Sequence, residues 1–78
     1  QSLVNVPVAD NDVKKSVMAS TELAQAIQAV EEKLAETGRV LVRPSGTEAL
    51  MRVMVEAQTE DAARSAAEEL ASLIRKMA

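Results

Sequence analysis

The chain has 78 residues and contains no cysteine, no histidine and no aromatic residue. Without cysteine it has no disulfide framework, no thiol nucleophile and no thiolate metal site. Without histidine it lacks the commonest metal ligand and the commonest general base. Thiol chemistry, histidine-based catalysis and metal sites built from cysteine or histidine are therefore excluded.

Long apolar runs and an excess of positive charge are missing as well. No stretch approaches the run of about 18 apolar residues that a membrane span needs. The net charge of -3 argues against nucleic acid or an anionic membrane as a partner, although an acidic protein can still carry a local positive site. The chain begins at Gln1 without a signal-peptide pattern, so we expect a fragment or a processed chain in the cytoplasm.

The residues available for a core are aliphatic. Apolar residues make up 47% of the chain, and they are Val, Leu, Ile, Met and many alanines. At this length residues 1–78 are predicted to form one domain, close to the size at which a single core barely suffices. The small side chains favour close packing of helices on a sheet.

The first apolar segment alternates as a strand does. Residues 2–9 place Val4, Val6 and Val8 on one face, and Pro7 indicates an edge strand or a strand end because proline cannot donate to a ladder. A turn follows, and Asp12 is predicted to cap a short helical turn after it.

Two longer segments have helical periodicity. Residues 20–37 are predicted to form a helix that Ser20 or Thr21 caps and that Gly38 ends in a left-handed conformation. The expected apolar stripe of this helix is Leu23, Ile27, Val30 and Leu34.

The second predicted helix covers residues 59–77. Thr59 is its expected cap, and Glu60 is expected to pair with Arg64 one turn later. Its predicted buried stripe is Ala63, Ala66, Ala67, Leu70, Ile74 and Met77.

Between the helices, residues 39–43 and 50–57 alternate again and predict a β-hairpin. If the aliphatic faces of both strands lie under the helices, Arg43 and Arg52 both lie on the face that carries no helix. The predicted order is β-α-β-β-α, an α+β two-layer sandwich with a mainly antiparallel sheet and two helices on one face.

The hairpin connection at residues 43–48 is unusually rich in hydrogen-bond donors. Gly46 permits a positive φ and lets a ligand approach the backbone, and the arginines can contact phosphate oxygens with two N–H groups each. Glu48 is discordant and must point away or pair with an arginine. Composition alone leaves two interpretations open, an anion site or an ordinary turn.

The motif Arg43-Pro44-Ser45-Gly46-Thr47-Glu48, followed by Arg52-Val53-Met54-Val55-Glu56, resembles a known family. Together with the preceding Gly38-Arg39-Val40-Leu41-Val42, it is similar to the C-terminal domain of the phosphoglucosamine branch of the α-D-phosphohexomutases. The resemblance covers essentially the whole chain. One departure is Ala49, where the family usually has proline, and this should loosen the exit from the loop.

The resemblance implies a four-domain enzyme of which this chain is the last domain. That enzyme interconverts glucosamine 6-phosphate and glucosamine 1-phosphate through a 1,6-bisphosphate, as a step toward UDP-N-acetylglucosamine and the cell wall. The resemblance implies a phosphoserine and Mg²⁺ on other domains, so we expect no catalytic residue, no metal site and no cofactor within this chain. The fragment alone should be inactive. The residues carried over as binding the non-reacting phosphate are Arg43, Ser45, Gly46, Thr47 and Arg52.

A second hypothesis comes from another class of protein. A small regulatory or assembly module of this topology would pair with other chains through its sheet edge and its helix-free face, and residues 43–48 would then be only a turn.

Overall fold

The computed structural model describes residues 1–34 and 38–77. The described residues form a three-stranded antiparallel sheet and three helices, which confirms the predicted α+β class. In chain order the elements are β1 (Ser2–Pro7), α1 (Asn11–Met18), α2 (Thr21–Leu34), β2 (Arg39–Pro44), β3 (Leu50–Glu56) and α3 (Glu60–Met77).

The hairpin strand β3 is the centre of the sheet, with β1 and β2 as antiparallel neighbours on either side. Pro7 therefore ends an edge strand, as its missing N–H predicted. The backbone continues the pairing for one more bond, since Val8 N–H donates to the Ala49 carbonyl at 2.9 Å.

One face of the sheet carries the core. Met51, Val53 and Val55 of β3 alternate with exposed or half-buried neighbours and are themselves fully buried. The helices cover this face, with α3 packed on β1 and β3 and α2 packed on β2 and α3. Val6, Val17, Leu23 and Val30 complete the same core.

The last helix follows its sequence signals closely. Thr59 caps it, because the Thr59 hydroxyl accepts a hydrogen bond from Ala62 N–H at 3.1 Å. Its alanines Ala63, Ala66 and Ala67 are buried as predicted, and Ala71 joins this stripe, whereas Met77 is only half-buried. Arg64 forms its ion pair with Asp61 rather than with Glu60, so the predicted i,i+4 pair is wrong and an i,i+3 pair replaces it.

The segment after β1 differs from its prediction. It is a complete helix, α1, and its cap is Asp10 rather than Asp12: the Asp10 carboxylate accepts a hydrogen bond from Val13 N–H at 3.0 Å. A helix this short is marginal alone, and burial of Lys14 and Val17 supports it. The order is therefore β-α-α-β-β-α.

The second helix begins where predicted and its end is only partly described. Ser20 is the cap, since its hydroxyl accepts a hydrogen bond from Leu23 N–H at 3.2 Å. The predicted last turn, residues 35–37, lies outside the described residues, so the left-handed helix ending expected at Gly38 stays a prediction. A side chain at Gly38 would collide with Leu34, so glycine is required there for close approach. Within the described ranges, no helix is both long and apolar enough to cross a membrane.

Candidate functional site

The connection between β2 and β3 is shorter than the predicted connection at residues 43–48. Strand β2 continues through Pro44, which pairs with Met51, so Pro44 ends a strand instead of occupying the second position of a turn. Ser45 N–H then donates to the Leu50 carbonyl at 2.9 Å and closes the loop, which consists of residues 45–49. The loop is thus anchored at both ends by the sheet ladder.

Ser45 organises this loop from inside. Its side chain is buried, with only 6% of the residue exposed, and its hydroxyl oxygen accepts hydrogen bonds from Thr47 N–H at 3.4 Å and Glu48 N–H at 3.2 Å. An oxygen that accepts hydrogen bonds is polarised, and its own O–H becomes a better donor. These two backbone N–H groups are therefore engaged within the loop and are not open to an anion.

Gly46 is the exposed apex of the loop. A Cβ at this position would meet nothing within 4 Å, and its φ is outside the left-handed range. Neither a positive φ nor crowding by neighbouring atoms therefore explains why this residue is glycine. Its backbone N–H donates to no group in the part of the chain that the structure describes.

Arg43 and Arg52 are direct partners across β2 and β3. Opposite residues of an antiparallel pair share a face, so both side chains lie on the helix-free face, as predicted from alternation. Neither forms an ion pair with any described carboxylate, and this includes the nearby Glu48. Like charges directly opposite each other are unfavourable, and no described group offsets this pair.

These side chains and the loop line one open cavity of about 320 Å³. Its walls contain every residue that the sequence singled out as a phosphate ligand: Arg43, Ser45, Gly46, Thr47 and Arg52. The cavity is large enough for a phosphate with part of its ester group, and the exposed Arg43, Thr47 and Arg52 contribute side chains to its walls. The site can bind and orient an anion, and its residues include no general base.

One residue of this region was missed by the sequence interpretation. Lys14 of α1 is 8% exposed, and its Nζ donates to the Ser45 carbonyl at 2.8 Å. The available signal was its spacing of three from the apolar Val17, which places both on one helical face. Lysine is almost never buried without a partner, so its residue type indicated an exposed position instead.

The described residues offer no set of ligands for a metal ion. Among residues 1–34 and 38–77, no three His, Cys, Asp or Glu side chains lie close enough together to hold a metal ion. Hard cations such as Mg²⁺ take oxygen ligands, usually carboxylates, whereas the cavity is lined mainly by donors. No step of a mechanism can therefore be assigned to a metal held by these residues.

Comparisons of the sequence with family models and with curated proteins lead to the same family. Residues 3–73 match the family model for the phosphoglucomutase/phosphomannomutase C-terminal domain. The chain is 54% identical over 74 residues to a phosphoglucosamine mutase of Corynebacterium efficiens and 50% identical over 76 residues to that of Geobacillus kaustophilus. The two matches include 95% and 97% of this chain, respectively, but only 16% of the length of each relative.

Solved structures agree in fold. An N-acetylphosphoglucosamine mutase of Aspergillus fumigatus superposes with a TM-score of 0.80 at 27% identity, over 97% of this chain and 15% of that one. An N-acetylglucosamine-phosphate mutase of the α-D-phosphohexomutase superfamily, in its product complex, superposes with a TM-score of 0.75 at 27% identity. This superposition covers 91% of this chain and 14% of that one. The chain belongs to the phosphoglucomutase/phosphomannomutase family and corresponds to the C-terminal domain of its phosphoglucosamine mutase members.

Proposed function

We propose that this chain is the phosphate-binding domain of a phosphoglucosamine mutase, and that the cavity at residues 43–47 and 52 holds the phosphate that is not reacting. The observation that carries the proposal is the Arg43–Arg52 pair. Two cross-strand guanidinium groups without a described carboxylate partner lie beside a loop whose hydroxyls line the same cavity. An anion between them would replace mutual repulsion with charge-assisted hydrogen bonds.

The reaction of such an enzyme explains why this domain needs donors and no base. Glucosamine 6-phosphate and glucosamine 1-phosphate interconvert through a 1,6-bisphosphate, which must turn around between two phosphoryl transfers. A site that recognises phosphate in general, rather than one sugar carbon, serves both orientations. Phosphoryl transfer depends on positioning and charge neutralisation, which arginine and hydroxyl groups supply.

The remaining parts of the enzyme belong outside this chain in the proposal. The chain spans about one sixth of the length of its curated relatives, 16% of each. A phosphoserine and a Mg²⁺ ion on other domains would perform the transfer, and the cytoplasm would be its setting. This domain would position the substrate and, by closing on it, help to exclude water.

The direct test is an NMR titration of the ¹⁵N-labelled chain with glucosamine 6-phosphate, with glucosamine as the control ligand. We expect amide shifts concentrated at residues 43–47 and 52 with the phosphosugar and none with glucosamine. Shifts scattered over the helices, or equal responses to both ligands, would count decisively against a phosphate site at this loop.

The helix-free face gives the assembly hypothesis a specific observation of its own. Leu3 is 59% exposed and Leu41 is 41% exposed, and both pair with the half-buried Met54 in one row across the sheet. If the chain dimerises with increasing concentration in analytical ultracentrifugation and shows no response to phosphate, this face is an assembly surface and the loop is only a turn.

A further inference from the structure

A buried lysine contacts the loop from the side opposite the arginines. Lys14 lies on α1, and its amine donates to the carbonyl of Ser45, a residue 31 positions later in the chain. A second open cavity, of about 350 Å³, separates α1 from the loop and includes Lys14, Lys15, Ser45 and Gly46 in its walls. The loop thus lies between a cavity on the lysine side and a cavity on the arginine side.

The geometry of the peptide bond connects these two sides. In a planar trans peptide the C=O of one residue and the N–H of the next point in opposite directions. Because Lys14 holds the Ser45 carbonyl toward α1, the Gly46 N–H is directed away from α1, and it has no acceptor among the described residues. We infer that Lys14 is a positioning residue, which orients the Ser45–Gly46 peptide so that the Gly46 N–H is presented to the bound phosphate.

The alternative orientation shows why this matters. If the peptide rotated, the Ser45 carbonyl would point toward the arginine cavity, and an acceptor oxygen would face the phosphate oxygens. The lysine therefore places a donor in the site and removes an acceptor from it. It does so with a charged donor, whose hydrogen bond is stronger than that of a neutral donor. The inference rests on the proposed phosphate site.

The experiment compares Lys14→Met with Lys15→Met, using inorganic phosphate as the probe and ¹⁵N amide spectra as the readout. Both variants lose one positive charge from the same helix, but Lys15 is exposed and donates to no loop carbonyl within the described ranges. We expect Lys14→Met to bind phosphate about tenfold more weakly, with an altered Gly46 amide position. Lys15→Met should change affinity less than twofold and leave Gly46 unmoved, and Lys14→Arg should restore part of the affinity.

Each other outcome has a defined meaning. Equal weakening by both lysine variants, with Gly46 unmoved, would show that only charge matters and would overturn the positioning role while the phosphate site stands. An unmodified chain that shows no phosphate response would overturn the proposed function and this inference together. Should Lys14→Met fail to fold, the unmodified chain still decides: a Gly46 amide that does not shift while Arg43 and Arg52 respond contradicts the inference.

Discussion

At the scale of single residues, the Arg43–Arg52 pair is the feature that most clearly distinguishes a binding site from a turn. Cross-strand like charges are unfavourable by a few tenths of a kcal/mol up to about 1 kcal/mol. No described carboxylate offsets this pair, although at the far end of the same two strands Arg39 lies directly opposite Glu56. The hairpin therefore combines one complementary pair with one repulsive pair, and only the repulsive pair lies beside the loop.

Arg52→Gln should therefore have opposite effects on stability and on binding. We expect the phosphate-free chain to gain about 0.2–1 kcal/mol in the free energy of unfolding, because a repulsive pair is removed. We also expect phosphate to stabilise this variant much less than the unmodified chain, since ligand stabilisation follows affinity. Urea unfolding with and without phosphate measures both quantities.

Arg39→Gln is the matched control, because it removes the same charge from the same hairpin at a position directly opposite a carboxylate, Glu56, instead of a second guanidinium. It should lower stability slightly and leave the response to phosphate unchanged. If Arg52→Gln destabilised the phosphate-free chain as much as Arg39→Gln did, the repulsion argument would be wrong.

Gly46→Ala tests how closely the ligand approaches the backbone. The added Cβ has open space and an allowed φ, so the unfolding free energy should rise by about 0.4–1 kcal/mol through lower entropy of the unfolded chain. Phosphate affinity should fall, because the methyl group occupies space beside the N–H that the ligand needs. Unfolding curves and phosphate titrations of the same samples measure both effects. An unchanged phosphate affinity would show that the ligand does not approach this residue.

At the scale of elements, hydrogen bonds hold the loop between β2 and β3 at its entrance and at its exit. Ser45 anchors the entrance through its backbone and its hydroxyl. At the exit, Leu50 N–H donates to the Glu48 carbonyl at 2.9 Å, which makes Ala49 the centre of a γ-turn. The common inverse γ-turn has a central φ near about -75°, which is within the range of proline.

Ala49→Pro should therefore stabilise the chain. No hydrogen bond from Ala49 N–H is lost among the described groups, and the Ala49 carbonyl keeps its bond from Val8 N–H. We expect a gain of about 0.4–1 kcal/mol in the free energy of unfolding, measured by thermal denaturation. Ala9→Pro, at an exposed position just after β1, is the comparison for general effects of proline. Loss of stability in Ala49→Pro alone would mean that the turn has the rare positive φ.

At the scale of the whole molecule, the core and the proposed phosphate site lie on opposite faces of the sheet. The covered face of the sheet holds the aliphatic core, and the open face holds the arginines and the apolar row of Leu3, Leu41 and Met54. Substitutions on the open face can therefore change ligand binding while the core remains intact. This separation allows a small domain with a marginal core to keep an unfavourable charge pair.

A phosphate site of this kind should not distinguish the two ends of the sugar. We expect glucosamine 6-phosphate and glucosamine 1-phosphate to bind the chain with affinities within about threefold of each other, because the ligands share the phosphate group and little else near the loop. We also expect no interconversion by the chain alone. Isothermal titration with each ester measures the first, and a difference above tenfold would show that the sugar contributes to recognition here.

Local rules were sufficient for much of this protein. Alternation along β2 and β3 predicted that Arg43 and Arg52 share a face, and capping rules located Ser20 and Thr59, because strand period and cap geometry depend on residues a few positions apart. The same rules misassigned the cap of α1 and the partner of Arg64, where two acidic residues compete within one turn.

The sequence by itself determined which residues could form a phosphate site, because donor chemistry and the loop between two strands are visible in the order of amino acids. Only the tertiary structure decided how they are arranged. The register of β2 on β3 places Arg43 directly opposite Arg52, and the packing of α1 brings Lys14 to the carbonyl of Ser45. These contacts join distant parts of the chain, so they depend on how the whole core packs rather than on any local pattern.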